Sequence, residues 1–485
     1  MVKNMKNVVI IGSGIGGLTA GAFLAQAGMK VVAIERHDRI GGYAHNFRRK
    51  NYRFESGIHT VPLADGGVVR TILGQLGINS EVKTVKFPEM YRTISPYGTE
   101  IMPENKNDIT AKLYNDYGRQ KKGLDKFFSD LDLLYNTIFT LFEKGKRGLL
   151  DEDHSKVAPF LSHSYGSYLE QIFDDEKLRF FLSGMWPYVG ITPGYGQHLF
   201  MQMLFNAHFY EGSYGVVGGF VSIADALAKF IENHGGKIIT NDCVEQVLCE
   251  NKTASRVKTQ KGLSIDCDLV ISDCSPYILH NNLLDENSRS AFWQKRLSRL
   301  NPADSVVVAY LGMKKGYEKY IDSNAGMYFK HKDIDAPYKR IHSEKSAPFD
   351  CDNLAILHPI EFLADPTIIL FSFVKQSDSQ NWKVDKKIIA DKIIAELNIV
   401  YPNIKDYIDF VEVGSPDTFE RYTLNTGGSI YGFENTADSY GEAKMPIKTH
   451  IKNIYQVGHW TRPGSGMLNA ILSGYTAAQL VFTEV

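Results

Sequence analysis

Apolar runs and glycines alternate at the start of the chain in a pattern that predicts a strand, a turn, a helix and a second strand. Residues 8–11 are a short β-branched apolar run that fits a strand buried on both faces. Gly12-Ser13-Gly14-Ile15-Gly16-Gly17 follows, and Leu18, Ala22 and Ala25 then belong to a helix of small residues that stops at Gly28. Residues 30–34 read as the second strand, closed by Glu35, which completes a βαβ unit. A second block, from about residue 213 to 275, places a helix over Val221–Asn233 between Gly218-Gly219 and Gly235-Gly236, with strands at 237–240, 244–249, 256–259 and 268–272. Near the end, 454–457 predicts a strand, Pro463-Gly464-Ser465-Gly466 a turn and 467–482 a helix. Three separated segments, 1–75, 213–290 and 445–485, are therefore expected to form one α/β domain. Between them, 76–212 is rich in aromatics and reads as largely helical, with Phe127, Leu131, Leu134, Tyr135, Ile138 and Phe142 at helical spacing. Residues 291–444 hold strand candidates at 306–311 and 368–373, and together these two stretches are expected to form a second, discontinuous domain.

Composition narrows the function classes. The 485 residues include 54 Lys+Arg and 55 Asp+Glu, a net charge of −1, which argues against a global electrostatic grip on nucleic acid. With 44% hydrophobic and 22% charged residues, the chain is an ordinary globular one. Glycine is over-used: of 42 glycines, eight fall between Gly12 and Gly42, as expected where backbone must approach a ligand. Five cysteines, Cys243, Cys249, Cys267, Cys274 and Cys351, contain no C-x-x-C pair, so neither a disulfide framework nor a metal site is expected, and a reducing, cytoplasmic compartment follows. Lys3 and Lys6 before an apolar run imitate a signal peptide, but the glycines interrupt it, Glu35 and Arg36 follow quickly, and no uninterrupted apolar stretch is long enough for a spanning helix.

The spacing Gly12-x-Gly14-x-x-Gly17 after a strand and before a helix has a mechanism. The first glycine makes the turn, the second admits a pyrophosphate, and the third lets the helix pack on the strand. Phosphate then rests on the helix N-terminus, where free N–H groups and the dipole favour it. Glu35, 23 residues after Gly12, stands where a carboxylate accepts ribose hydroxyls and repels a 2′-phosphate.

Seven residues further, Gly41-Gly42 completes an arrangement that resembles the fingerprint of the glutathione-reductase-like and amine-oxidase-like FAD proteins. Gly458-His459-Trp460-Thr461-x-Pro463-Gly464-x-Gly466 is similar to their closing flavin motif, with His459 where an acidic residue is usual. The resemblance implies a Rossmann FAD domain with an α+β substrate domain, and FAD held by Gly12, Ser13, Gly14, Ile15, Gly16, Gly17, Glu35, Arg36, Gly41, Gly42, His59, Thr60, Val244, Gly458, His459, Gly466 and Met467. Pro463 suits the first position of a helix whose positive end faces the flavin pyrimidine.

The resemblance narrows at Gly41-Gly42-Tyr43-Ala44-His45-Asn46-Phe47 and Tyr52-x-Phe54-Glu55-x-Gly57-Ile58-His59, which look like motifs of retinol saturases, carotenoid isomerases and phytoene desaturases. Tyr188-x-Gly190-x-x-Pro193, Gly212-Ser213-Tyr214 and the segment from Gly414 through Arg421-Tyr422 to Gly432 agree in order. This implies an FAD-dependent oxidoreductase that reduces a C=C bond of an apolar polyene, a retinoid, carotenoid or polyenoyl chain. Desaturation, cis/trans isomerisation and amine oxidation are its rivals, and a prenyl-binding escort protein on the same fold is a rival of another class. His59 and Tyr431 are the candidate proton-handling residues. Phe180, Phe181, Trp186, Tyr188, Tyr195, Phe200, Phe205, Phe209, Tyr210 and Tyr214 are expected to wall the substrate cavity. With one dinucleotide fingerprint, electrons are expected from an external or transiently bound donor. The amphipathic segment 123–143, followed by Lys144, Lys146 and Arg147, fits either peripheral membrane contact or packing on the protein's own core, with packing preferred.

Overall fold

The computed structural model describes residues 6–143, 155–343, 349–375, 381–439 and 444–484. Its first layer is a five-stranded parallel sheet of β1 (Asn7–Ile11), β2 (Lys30–Ile34), β3 (Lys237–Ile239), β4 (Leu269–Ser272) and β5 (Ile454–Gln456), in the order β5-β4-β1-β2-β3. Val9 of β1 pairs with Val270 on one side and Val32 on the other, and Val8 to Ile11 are all buried. The near-continuous apolar run follows from cover on both faces.

Helices α1 (Ile15–Gln26) and α2 (Val221–Asn233) pack on this sheet, and α3 (Met467–Glu484) packs along α1. Glycines set their approach. A Cβ on Gly474 of α3 would collide with the carbonyl oxygen of Gly16 in α1, and one on Gly21 would collide with Ile10 and stand 3.0 Å from Ile231 of α2. Gly464 and Gly466 have φ of 145° and 94°, so α3 begins only at Met467. Pro463 therefore stands in the turn predicted for 463–466, ahead of the helix predicted from 467, and not at the first helical position that its chemistry suits.

The segment after β3 forms an antiparallel sheet of Val244–Glu250, Thr253–Thr259 and Ser264–Asp266. A seven-stranded mixed sheet makes the second layer, in the order Ile408–Gly414, Ser305–Met313, Thr367–Val374, Asn353–Leu357, Ala325–Phe329, Glu89–Ser95, Gly98–Pro103. Its strands Ser305–Met313 and Thr367–Val374 are buried throughout and divide their side chains by the period of two. Val307, Ala309, Leu311, Ile368 and Leu370 share a core with the helix Trp382–Val400, whereas Val306, Val308, Ile369 and Phe371 face a cavity.

The described residues 106–143 and 155–211 are largely helical as expected, but the stretch just before them is not: Glu89–Ser95 and Gly98–Pro103 form a hairpin at the edge of the large sheet. Its turn rests on Gly98, φ 100°, within a run too short for periodicity to separate strand from helix. The amphipathic helix Lys121–Glu143 turns Leu124, Phe127, Leu131 and Leu134 fully inward, so its apolar face is covered by the protein's own core. Lys3, Lys144, Lys146 and Arg147, and the side chain of Phe142, lie outside the described residues. Among the described residues no helix is long and apolar enough to cross a membrane.

Candidate active site

One cavity, of 270 Å³, runs from the C-terminal end of the parallel sheet to the face of the mixed sheet. Ligands in open α/β sheets are held beyond the carboxyl ends of the strands, and this cavity begins there. Of the residues singled out from sequence, it gathers Gly12, Gly14, Ile15, Gly16, Glu35, Arg36, Gly41, Gly42, His59, Val244, Tyr431, Gly458, His459, Gly466 and Met467.

Ser13, Gly17 and Thr60 are not on the wall. Ser13 is buried and donates from both its N–H and its Oγ to Glu35 Oε2, each at 2.9 Å. Gly17 packs against the carbonyl oxygen of Gly12, 2.8 Å from where a Cβ would sit, which is the helix-to-strand role foreseen for it. Thr60 Oγ1 donates to the Tyr214 carbonyl at 3.4 Å.

Glu35 is held rigidly. Oε2 accepts both Ser13 bonds and Oε1 accepts the His37 N–H at 2.8 Å. Each carboxylate oxygen has two lone-pair sites, so Oε1 keeps one for a further donor. The turn glycines have the backbone that only glycine adopts without strain: φ is 89° at Gly12, 102° at Gly41 and 90° at Gly458. Arg36 lines the wall while its guanidinium donates to the Arg421 carbonyl at 2.8 Å, tying the nucleotide end to the helix Pro416–Thr423.

At the other end the site is apolar. His59 is 3% exposed, and neither ring nitrogen has a hydrogen-bond partner. Phe371 packs on it at 5.0 Å and Tyr188 at 5.8 Å between ring centroids. Burial pushes its pKa down to about 3, so His59 is neutral at physiological pH. Tyr431 donates its hydroxyl to the Pro187 carbonyl at 2.9 Å, and burial raises its pKa well beyond the usual tyrosine range. His459 is likewise neutral, pushed down to about 4 mainly by burial and secondly by the Lys444 charge, and its Nε2 lies 3.3 Å from Asn425 Nδ2.

The aromatic stretch expected to wall the cavity does not do so. Phe180, Phe181, Trp186, Phe200, Phe205 and Phe209 are buried core, Tyr195 is an exposed surface residue, and none of the ten lines the cavity. The wall is built instead by Val306, Val308, Ile369 and Phe371 of the mixed sheet, with Ile58, Phe419 and Ile430 from loops and a helix. Helical spacing of aromatics marks a buried face without telling core from cavity.

Two residues were missed. Asp273, directly after β4, lines the cavity and accepts the Gly17 N–H at 2.9 Å; its place at the end of a central parallel strand was the available signal. Asn425 joins Tyr43 Oη at 3.2 Å, His459 at 3.3 Å and Trp460 Nε1 at 2.8 Å, and it lies in a loop between motifs that the sequence reading used. His331, Asp350 and Asp352 come together elsewhere, but Asp350 already binds Lys330 at 2.8 Å and Asp352 binds Arg340, and none of the three lines the cavity.

A glycine-rich turn at the carboxyl end of a parallel sheet, a carboxylate closing its second strand and an apolar chamber in the same cavity are what a flavin-dependent oxidoreductase requires. The chain belongs to the family described as flavin containing amine oxidoreductase, which it matches over residues 15–482, and its cofactor is FAD. It is 25% identical over 514 residues to all-trans-retinol 13,14-reductase of Danio rerio, covering 93% of this chain and 82% of that one. It is 24% identical over 504 residues to 4,4'-diapophytoene desaturase (4,4'-diapolycopene-forming) of Methylomonas sp, covering 99% and 96%. An oxidoreductase from Methanosarcina mazei shares the fold, with a TM-score of 0.64, 19% identity and coverage of 99% of this chain and 100% of that one.

Proposed function

We propose that this enzyme reduces a C=C bond of a conjugated, apolar polyene. The observation that carries the reading is the continuity of the site: the wall of Val306, Val308, Ile369, Phe371 and Ile430 belongs to the same cavity as the FAD-binding glycines. Relatives named for a retinol reductase and a carotenoid desaturase, each aligned over most of this chain, support the substrate class. A retinoid, a carotenoid or a polyenoyl chain presents such a wall with little to hydrogen-bond and much apolar surface to bury.

FAD supplies hydride exchange. The protein binds and orients the polyene, excludes water and handles one proton. Tyr431 lines the cavity and keeps a phenolic proton, donated to the Pro187 carbonyl, so it has a proton to give once its hydroxyl turns to the substrate, which supports it as the proton donor. Neutral His59, with both nitrogens unengaged, suits a hydrogen bond to ligand or cofactor better than net proton delivery. The cofactor set read from the sequence, the division into domains 1–75, 213–290, 445–485 and 76–212, 291–444, an external or transient electron donor, and a cytoplasmic location complete the proposal. The sheets support the division, since β1 and β2, then β3 and β4, then β5 come from the three proposed FAD segments in turn.

The test is anaerobic. Flavin reduced on the enzyme is mixed with all-trans-retinol, a carotenoid and a polyunsaturated acyl chain in turn. Flavin reoxidation with loss of substrate conjugation supports reduction. Isomerised substrate with flavin still reduced, or reaction only of oxidised flavin with substrate, replaces reduction by isomerisation or desaturation.

A further inference from the structure

Asp273 stands where a negative charge is least expected. The turn before α1 and the helix N-terminus offer free N–H groups and a positive dipole end to the doubly charged pyrophosphate of FAD. Asp273 is placed on that same turn. It accepts the Gly17 N–H at 2.9 Å, and its carbonyl oxygen lies 3.4 Å from where a Cβ on Gly12 would be. Its carboxyl oxygens fill the space beside Gly14 and Gly458 so closely that a Cβ on either would collide with them. Asp273, Gly12, Gly14 and Gly458 all face the cavity. Two anionic acceptors on one turn repel each other unless a proton lies between them.

The surroundings favour that proton. From the end of β2, Glu35 adds like charge, and from its own segment Asp273 has the thiol of Cys274 as neighbour. Helix α1 contributes the Gly17 N–H, and on the α3 side the Gly458 N–H is already donated to Ser473 Oγ at 2.8 Å. Burial, reinforced by Glu35 and opposed by the Gly17 N–H, pushes the Asp273 carboxyl up to about 7.

We propose that Asp273 is a ligand of the FAD pyrophosphate in its acid form: Oδ2 keeps the Gly17 N–H, the carboxyl proton is donated to a phosphate oxygen, and cofactor loading from alkaline solution takes up one proton from solvent. The inference rests on the FAD site and is independent of the substrate. It also assigns to this chain a donor where the glycine turn otherwise offers only backbone.

Apoprotein is titrated with FAD by flavin fluorescence between about pH 6 and about pH 9, and by calorimetry in buffers of different ionisation enthalpy. The wild type and Asp273→Asn, a permanent donor of the same shape, are compared. The wild-type Kd should be flat at the acid end and rise by up to ~10-fold per pH unit at the alkaline end, with proton uptake approaching one per FAD. Asp273→Asn should bind with no such slope or uptake, and more tightly than wild type at the alkaline end. A wild-type Kd independent of pH with no proton uptake overturns the proposal without any variant. The same slope and uptake in Asp273→Asn also overturns it and moves the proton to another group. Absence of FAD binding at every pH in the wild type would remove the cofactor assignment itself, a separate failure.

Discussion

His59 meets Tyr188 edge to face, with ring centroids 5.8 Å apart and planes at 82°, and neither imidazole nitrogen is hydrogen-bonded to the protein. A polar ring held between Tyr188 and Phe371 on the cavity wall, its nitrogens buried and unpartnered, is set to bond a group seated against it. His59→Ala should retain FAD and slow the flavin-to-substrate half-reaction by ~10²-fold, the order of one removed donor. Tyr431→Phe should slow it by ~10²- to 10⁴-fold, the order of a removed general acid. Stopped-flow flavin absorbance reads both.

Because burial holds His59 near pKa 3, its titration should not appear between about pH 5 and about pH 8 in the rate profile. A limb in that range that disappears in His59→Ala would contradict the neutral assignment.

Glu55 links the strand Tyr52–Glu55 to the turn before α2, accepting the Phe220 N–H at 3.1 Å, and burial raises its pKa from 4.5 to about 8. Between those values the folded chain holds a proton that the unfolded chain has released, so this contribution to stability is complete below about 4.5 and is lost as pH rises to about 8. Urea midpoints should fall across that window. Glu55→Gln should flatten the fall, adding on the order of a few kcal/mol at the alkaline end. Glu211 and Asp273, both raised to about 7 by burial, act in the same direction, so a residual slope is expected. A variant slope as steep as the wild type removes Glu55 from the account.

Gly474 brings α3 against Gly16 of α1, so Gly474→Val should force the two helices apart. Overpacking costs ~1–3 kcal/mol, and because Gly16 lies on the cavity wall, FAD affinity should fall with the melting temperature. Lowered stability with unchanged FAD affinity would separate the helix crossing from the site.

Asn425→Ala strands the buried Trp460 Nε1 and releases His459 from its amide partner. A stability loss of ~1–3 kcal/mol is expected in denaturant unfolding, together with a shift in the bound-flavin absorbance. The conservative Asn425→Gln should not recover either, since its amide is displaced by a methylene.

The glycine-rich half of the cavity was legible because its requirements are local. Gly12, Gly14 and Gly17 must occur at fixed offsets beside a strand, and Glu35 must close the next one, so spacing alone carries them. The substrate half depends on tertiary contact. Val306 and Phe371 face the cavity while Val307 and Leu370 face the core, and all four read identically in an apolar strand. The aromatic stretch misled for the same reason, since Phe205 and Phe209 satisfy a helical pattern whether they touch core or ligand. Asp273 and Asn425 were hidden because each acts on partners far away in sequence, Gly17 and His459.

The central claim is that one cavity places a polyene beside reduced FAD. Anaerobic stopped-flow mixing of the reduced enzyme with all-trans-retinol and with a carotenoid tests it most directly. The account predicts flavin reoxidation in step with loss of polyene absorbance for at least one of them. Stable reduced flavin with every polyene, alongside rapid flavin reduction by an amine, would contradict it.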